Sequence, residues 1–225
     1  MEGQMAKNNK GMQRFRVSCT GISPMLQNPM TDDILDTLLH GKAGRSKAPE
    51  RDTSVEKIAE QRLCKGPNGE LGIPSNYLFA SLVEAGRQVI FDKKTKMSTR
   101  ESSLVPAFLS IIEEESGMLS EFIPFSDQSV KWTADKRKGV LKSGAGGGVA
   151  VCIVRPKFNI WAFDVVVEVD LDQVNLEKVI DLFNKAGMFA GLGDFRPSKR
   201  GPFGRFKVRE FTQLEQIEAK ELKAA

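Results

Sequence analysis

Alternating apolar and polar side chains predict where the strands of this chain lie. The alternation occurs at residues 14–20, 161–169 and 205–209, and the apolar runs at 104–112 and 149–154 also have the length of strands. In the first of these alternating stretches two polar positions, Arg14 and Arg16, are basic, and in the last all of them are. We therefore expect two strands that each bury an apolar face and expose a basic one.

Apolar residues three and four positions apart predict four helices. The first follows Thr31, and the second follows the capping-box sequence at 53–56. The third begins near Ser75, which is its expected N-cap. The fourth carries its apolar stripe in residues 176–183, and Gly187 is the glycine expected just beyond its end.

The order of these elements is strand, insertion, helix, strand, insertion, strand, helix, strand. It predicts an α+β, ferredoxin-like (RRM-like) fold: an antiparallel sheet with two helices on one face, an open second face, and helical and β-hairpin insertions. We expect a single domain at 13–212 with insertions at about 21–70 and 92–148. Residues 1–12 should form a disordered lead, and residues 213–225 a charged tail.

Composition restricts the environment of the protein. Hydrophobic residues make up 40% of the chain and charged residues 28%, and no apolar run approaches the roughly 20 residues that span a bilayer. The polar N-terminus does not resemble a secretory signal, and three widely spaced cysteines do not suggest disulfides. We therefore expect a cytoplasmic protein with no membrane partner. A net charge of +4 permits nucleic-acid binding without requiring it.

The stretch 191–208 combines glycines with basic side chains. Its glycines are Gly191, Gly193, Gly201 and Gly204, and its basic residues are Arg196, Lys199, Arg200, Arg205 and Lys207. Glycine lets a backbone approach a ligand closely, and main-chain N–H groups beside arginine and lysine favour phosphate. The alternative is a surface hairpin whose charges are only solvated.

A basic sheet face next to this stretch would extend it into a surface for a single strand. Arg14 and Arg16 should share the open face of the sheet with Arg205, Lys207 and Arg209. Few aromatic residues are expected there, so contacts to the nucleic-acid backbone should dominate over base recognition. The alternative is that Asp164 and Glu168 on the same face neutralise the arginines. Weaker candidates for the same surface are Lys136, Arg137, Lys138, Lys42, Arg45 and Lys47.

Three features resemble the RAMP superfamily, the RRM-like proteins of CRISPR effector complexes. A long insertion follows the first strand. Residues 73–82, Ile-Pro-Ser-Asn-Tyr-Leu-Phe-Ala-Ser-Leu, resemble the "IPGSSLKGALR" opening of the first helix in the backbone subunits, and residues 191–208 resemble the glycine-rich loop with its "GGxxxRGYGRVxV" ending. Departures from these patterns, Asn76-Tyr77, Pro202-Phe203 and the late position of Arg87, indicate a distant relative, for example a prophage-borne one.

The resemblance implies a CRISPR-associated protein of antiviral defence that holds RNA or single-stranded DNA. It would assemble along the strand with other RAMP-like subunits or with copies of itself. Some backbone subunits cut RNA with an aspartate that follows the first strand, and Asp32, Asp33 and Asp36 lie in the comparable region. These acids would also suit the start of a helix.

We expect a binding protein without enzymatic activity. The sole histidine, His40, has no second histidine as a partner, and the cysteines lack ligand spacing, so no metal or cofactor is predicted. The alternatives are an Mg²⁺-dependent endoribonuclease that uses Asp32 or Asp33, and an interaction module whose basic loop binds an acidic protein.

Overall fold

A computed structural model of the chain describes residues 11–30, 35–36, 39–40, 53–142 and 148–214. The candidate residues Asp32, Asp33, Lys42, Arg45 and Lys47 lie outside the described residues, as does most of the helix predicted after Thr31.

The described elements comprise strands, helices and short helical turns. The strands are β1 (Met12–Gly21), β2 (Met25–Leu26), β3 (Gly72–Pro74), β4 (Ile90–Asp92), β5 (Thr95–Lys96), β6 (Leu109–Ile112), β7 (Phe122–Pro124), β8 (Trp132–Lys142), β9 (Gly148–Phe158), β10 (Ala162–Asp170) and β11 (Phe206–Gln213). The helices are α1 (Val55–Glu60), α2 (Ser75–Ala85), α3 (Val105–Phe108) and α4 (Leu176–Lys185), and shorter helical turns cover Gly86–Gln88, Ala186–Ala190 and Pro197–Lys199.

Four strands form the central sheet in the order β11-β1-β10-β6, and every neighbouring pair is antiparallel. One face of this sheet buries the alternating apolar side chains of β1 and β10 together with those of α2 and α4. The largest of these side chains include Phe15, Phe163, Phe183 and Phe206. The prediction of an α+β fold with antiparallel sheets is confirmed.

A second sheet has the strand order β2-β9-β8. Strands β8 and β9 pair antiparallel along their whole length, in the region where the sequence predicted a hairpin. Helix α1 packs against this pair, and β2 joins it to the segment that follows β1. Within the described ranges, every helix is too short or too polar to cross a bilayer.

Two predicted helix boundaries are wrong. Ser75 is the first residue of α2 and not its N-cap; the cap position is Pro74, which has no side chain that could accept a hydrogen bond. Gly187 does not end α4, because the chain continues through the helical turn Ala186–Ala190 to Gly191, where φ is 73°. A Cβ on Gly187 would lie 2.1 Å from the carbonyl oxygen of Phe206, so close packing explains this glycine.

The apolar run 104–112 is also not a single strand. Its first half forms the short helix α3, which carries Pro106 in its first turn, and its second half forms β6. Proline suits the first turn of a helix because no intrahelical partner is lost there.

Candidate nucleic-acid interface

Residues 191–205, which we call the basic loop, are folded against the segment that follows β1. The Leu192 N–H donates to the Gly204 carbonyl at 2.8 Å and closes the loop at its base. The Asp194 N–H donates to the Leu26 carbonyl at 2.7 Å, and the Gly204 N–H donates to the Pro24 carbonyl at 2.8 Å. The loop is thus held by its main chain.

The glycines of the basic loop are required by this folding. Gly193 and Gly204 have φ values of 73° and 71°, a region that side chains disfavour. A Cβ on Gly193 would lie 2.2 Å from the Leu26 carbonyl oxygen, and one on Gly204 would lie 1.8 Å from that of Leu192. Close approach of protein to protein therefore explains them, and contact with a ligand stays a prediction for Gly191, Gly193, Gly201 and Gly204.

The basic side chains of the loop differ in their surroundings. Arg196 Nη1 donates to the Gly193 carbonyl at 2.8 Å. Lys199 and Arg200 are exposed at the turn Pro197–Lys199, and neither they nor Arg196 form an ion pair with a described acid. Three cations of the loop are thus not neutralised by described carboxylates.

The remaining two basic residues of the predicted site are Arg205, which has contacts within the protein, and Lys207, which lies on β11. Arg205 is half-buried; its main-chain oxygen accepts from the Ile22 N–H at 2.8 Å, and its Nη2 lies 3.5 Å from the sulfur of Met188. Lys207 is exposed on β11, opposite Thr20.

A pocket of about 360 Å³ opens between the basic loop and the first turn of α2. Its lining residues are Asn28, Asn76, Tyr77, Ala80, Gly191, Leu192, Gly193, Asp194 and Arg196. The side chains of Asn76 and Tyr77 make no hydrogen bond with any described residue. Burial, with a smaller contribution from Cys64, raises the pKa of Tyr77.

Behind this pocket, Arg155 contacts the Asp194 carboxylate directly, and Arg62 is linked to the same carboxylate through Asn28. Arg155 is buried, and its Nε lies 2.8 Å from Asp194 Oδ2, although the N–H is not directed at that oxygen in a hydrogen bond. Asn28 donates to the same oxygen at 3.2 Å, and Arg62 donates to Asn28 Oδ1 at 3.0 Å. Burial, and then the charge of Arg155, lower the pKa of Arg62, while Asp194 opposes this shift. The surroundings of Asp194 therefore carry excess positive charge.

Sequence reasoning missed this network. Arg62, Arg155 and Asn28 come from three segments that are distant in the chain, and no spacing connects them. The available signal was the single acid of the basic loop, Asp194, which needed basic neighbours once it was partly buried.

The arginines on the open face of the central sheet are paired with acids. Arg14 Nε lies 3.2 Å from Glu168 Oε1, and Arg16 contacts both carboxylate oxygens of Glu114. Asp164 accepts hydrogen bonds from Ser18 and Ser126. The structure thus favours the predicted alternative of a neutralised face at Arg14, and it adds Glu114, which the sequence did not indicate.

A β-bulge also changes the neighbouring strand. It falls between Ser18 and Cys19, so Glu210 lies opposite Ser18 and Arg209 has no partner in the register. An acid therefore occupies a position on β11 where alternation alone predicted a basic residue.

One of the basic residues predicted on β8 lies against the basic loop. The Arg137 guanidinium stands 4.6 Å from the centroid of the Phe203 ring and donates to both oxygens of Asp135, at 2.7 and 3.0 Å. Lys136 and Lys138 are exposed and leave the strand on its other face. Of these three residues of β8, the structure thus brings only Arg137 to the basic loop.

The catalytic candidates are not assembled by the described residues. His40 is exposed, and its main-chain N–H donates to the Asp36 carbonyl at 3.0 Å. Within the described part of the chain, no three histidine, cysteine, aspartate or glutamate residues are grouped so that they could hold a metal ion.

No protein-family model matches the chain, and no curated protein matches it. Among solved structures, one that it resembles is a chain of the type III-B Cmr-beta bound to cognate target RNA, determined by cryo-EM. The TM-score is 0.42 at 10% sequence identity, and the match covers 91% of this chain and 61% of that chain.

Proposed function

We propose that this protein binds RNA or single-stranded DNA by its sugar-phosphate backbone at the basic loop. The observation that carries the proposal is the group of cations on the basic loop, Arg196, Lys199 and Arg200, which no described acid neutralises. Phosphate oxygens accept charge-assisted hydrogen bonds from such side chains.

The pocket beside the loop supports the same function. Arg196 uses one nitrogen to hold Gly193, which leaves its other donors for a ligand. Arg62 and Arg155 add positive charge behind the pocket wall, near Asp194. An anion bound here would relieve the repulsion between the two arginines.

We further propose that the central sheet is ferredoxin-like and that the protein is RAMP-like, an assembling subunit of the CRISPR-effector type. The strand order β11-β1-β10-β6 supports this, since α2 lies in the chain between β1 and β6, and α4 between β10 and β11. The basic loop then stands between the second helix and the last strand of that plan.

Arg14 and Arg16 belong to the proposal in a secondary role. Each already contacts a carboxylate, so a phosphate would compete with that carboxylate for the arginine. Exposed ion pairs contribute only about 0–1 kcal/mol, so a phosphate can displace them, but with less gain than at a cation without a partner.

A binding measurement with matched variants tests the proposal. Fluorescence anisotropy with labelled single-stranded RNA and DNA of about 20 nucleotides, a length chosen to exceed one protein footprint, would compare the parent with the double variant Lys199→Gln, Arg200→Gln. We expect the variant to bind roughly tenfold more weakly at low salt, because two phosphate contacts are lost.

The control is the double variant Lys93→Gln, Lys94→Gln. It removes the same net charge from two exposed residues between β4 and β5. Equal losses in both variants, or binding of neither strand by the parent, would contradict the proposal. An acidic protein partner is the alternative outcome if no nucleic acid co-purifies at low salt.

A further inference from the structure

Phe195 of the basic loop has an uncommon backbone conformation. Its φ is 49°, in the left-handed region that bulky side chains disfavour. The conformation is held from both sides: the Phe195 N–H donates to Asp194 Oδ1 at 2.7 Å, and its carbonyl accepts from the Phe203 N–H at 3.3 Å. A Cβ on Gly201 would lie 1.8 Å from that carbonyl oxygen, so glycine at position 201 leaves the space that the Phe195 carbonyl occupies.

The result of this conformation is an exposed aromatic ring. The Phe195 side chain is 37% exposed, although the loop already has a buried aromatic anchor in Phe203. A strained residue that the surrounding structure over-determines is a reason to look for a function.

The ring of Phe195 is supported from behind. Its centroid lies 6.0 Å from that of Phe203, with 33° between the planes. Phe203 is contacted in turn by Arg137, whose guanidinium is fixed by Asp135. Two rings and a guanidinium thus form a supported group, with Phe195 as its exposed member.

Cations without a described acidic partner lie on the same loop. Lys199 and Arg200 follow Phe195 by four and five residues across one short helical turn. A strand whose phosphates contact these side chains would bring its bases close to the exposed ring. Every nucleobase has a π-face, so stacking on phenylalanine tolerates any sequence.

We propose that Phe195 is a stacking platform for an unpaired base of the strand that the basic loop holds. This inference rests on the proposed function, and it adds a base contact to a site otherwise described by its phosphate contacts. It also modifies the sequence-based expectation that aromatic contacts are scarce on the binding surface.

Three variants and two ligands test the platform. Phe195→Leu keeps an apolar side chain and removes the ring, while Phe189→Leu makes the same change at another exposed phenylalanine, in the turn Ala186–Ala190. Each variant is titrated with a single-stranded oligonucleotide and with an abasic strand of equal length.

We expect Phe195→Leu to weaken binding of the normal strand roughly 5- to 150-fold, the range for one stacked base. Binding of the abasic strand should not change, and neither should the salt dependence, because no phosphate contact is lost. Phe189→Leu should match the parent on both strands. Phe195→Trp, which keeps an aromatic face, should bind like the parent and guards against a folding defect in the leucine variant.

Three results would overturn the platform. If Phe195→Leu binds the normal strand as tightly as the parent, stacking is absent while the loop function stands. If it loses affinity equally for normal and abasic strands, Phe195 only shapes the loop. If the parent binds neither strand, both the platform and the proposed function fail.

Discussion

The open sheet face and the basic loop both present arginines, yet their charges are balanced differently. On the sheet, Arg14 and Arg16 each contact a glutamate. On the loop, Arg196 holds a main-chain carbonyl and has no described acid as a partner. The difference shows that a basic pattern in one strand does not determine a basic surface, because neighbouring segments contribute acids that pair with it.

Register explains the pairing of Arg14 on the sheet. β1 and β10 pair so that Arg14 lies opposite Glu168, and residues directly opposite each other in an antiparallel pair have adjacent side chains. Among the described residues, no strand pairs with the basic loop beyond its base and places acids opposite its cations. Its one acid, Asp194, is already engaged by Arg155 and Asn28.

The largest effect should come from adding a side chain to the base of the loop. Gly204→Ala puts a Cβ 1.8 Å from the Leu192 carbonyl oxygen at a φ of 71°, and we expect a loss of roughly 2–5 kcal/mol in the free energy of unfolding. Urea unfolding followed by circular dichroism measures it.

The control for this prediction is Gly69→Ala. Gly69 has a φ of 82° but nothing within 4 Å of an added Cβ, so the variant should lose only about 1–2 kcal/mol. Equal losses at both sites would mean that the close contact of Gly204 is not what fixes the loop.

A smaller difference should separate the ion pairs of the two regions. Asp194→Asn leaves the buried Arg155 without its carboxylate, and we expect a loss of about 2–3 kcal/mol, below the value for a fully buried pair because Asp194 is 29% exposed. Glu168→Gln removes the partner of Arg14 from a more exposed pair and should cost about 1 kcal/mol or less.

Chemical denaturation of these two variants at one salt concentration provides the measurement. If the order of the losses were reversed, the sheet face would be the more tightly coupled of the two charge networks.

The cysteines should make the free energy of unfolding depend on pH to a similar extent in both regions. Cys19 is buried on the core side of the sheet, and Cys64 lies beside Gln27, near the loop. Burial raises the pKa of both thiols, that of Cys64 to about 12. The folded state keeps protons that the unfolded chain releases above about pH 9, so stability falls as the pH rises.

Between about pH 8 and pH 10, each thiol should lower the free energy of unfolding by about 1.4 kcal/mol. Cys64→Ala and Cys19→Ala should each reduce the decline by that amount, whatever their stability at pH 8. A decline equal to that of the parent would show that the substituted thiol titrates normally in the folded protein.

Local pattern was sufficient for much of the fold. Alternation located β1, β10 and β11, and helical spacing located α2 and α4, because each buries one face against a common core. Local pattern failed where the cause was a contact between distant segments. The packing of Gly187 against Phe206 is one example, and the start of α2 directly after Pro74, which pairs with Phe122 of β7, is another.

The same limit applies to the candidate site. The sequence located the basic loop, since its glycines and cations are contiguous. It could not locate the pairing of Arg16 with Glu114 or that of Arg155 with Asp194, because these depend on which loops fold over which strands. The exposure of Phe195 depends on a left-handed backbone that its residue type does not favour.

The salt dependence of strand binding tests the central claim most directly, namely that the basic loop carries the phosphate contacts. Single-strand affinity would be measured from about 50 to 300 mM salt, a range over which such contacts change affinity by orders of magnitude. The parent would be compared with two double variants. The loop variant is Lys199→Gln, Arg200→Gln, and the sheet variant is Arg14→Gln, Arg16→Gln. We predict that the loop variant lowers the slope of log affinity against log salt by about 1.4, from roughly 0.7 per phosphate contact, and that the sheet variant changes it little. A loop variant with the slope of the parent, together with a sheet variant of reduced slope, would contradict the account.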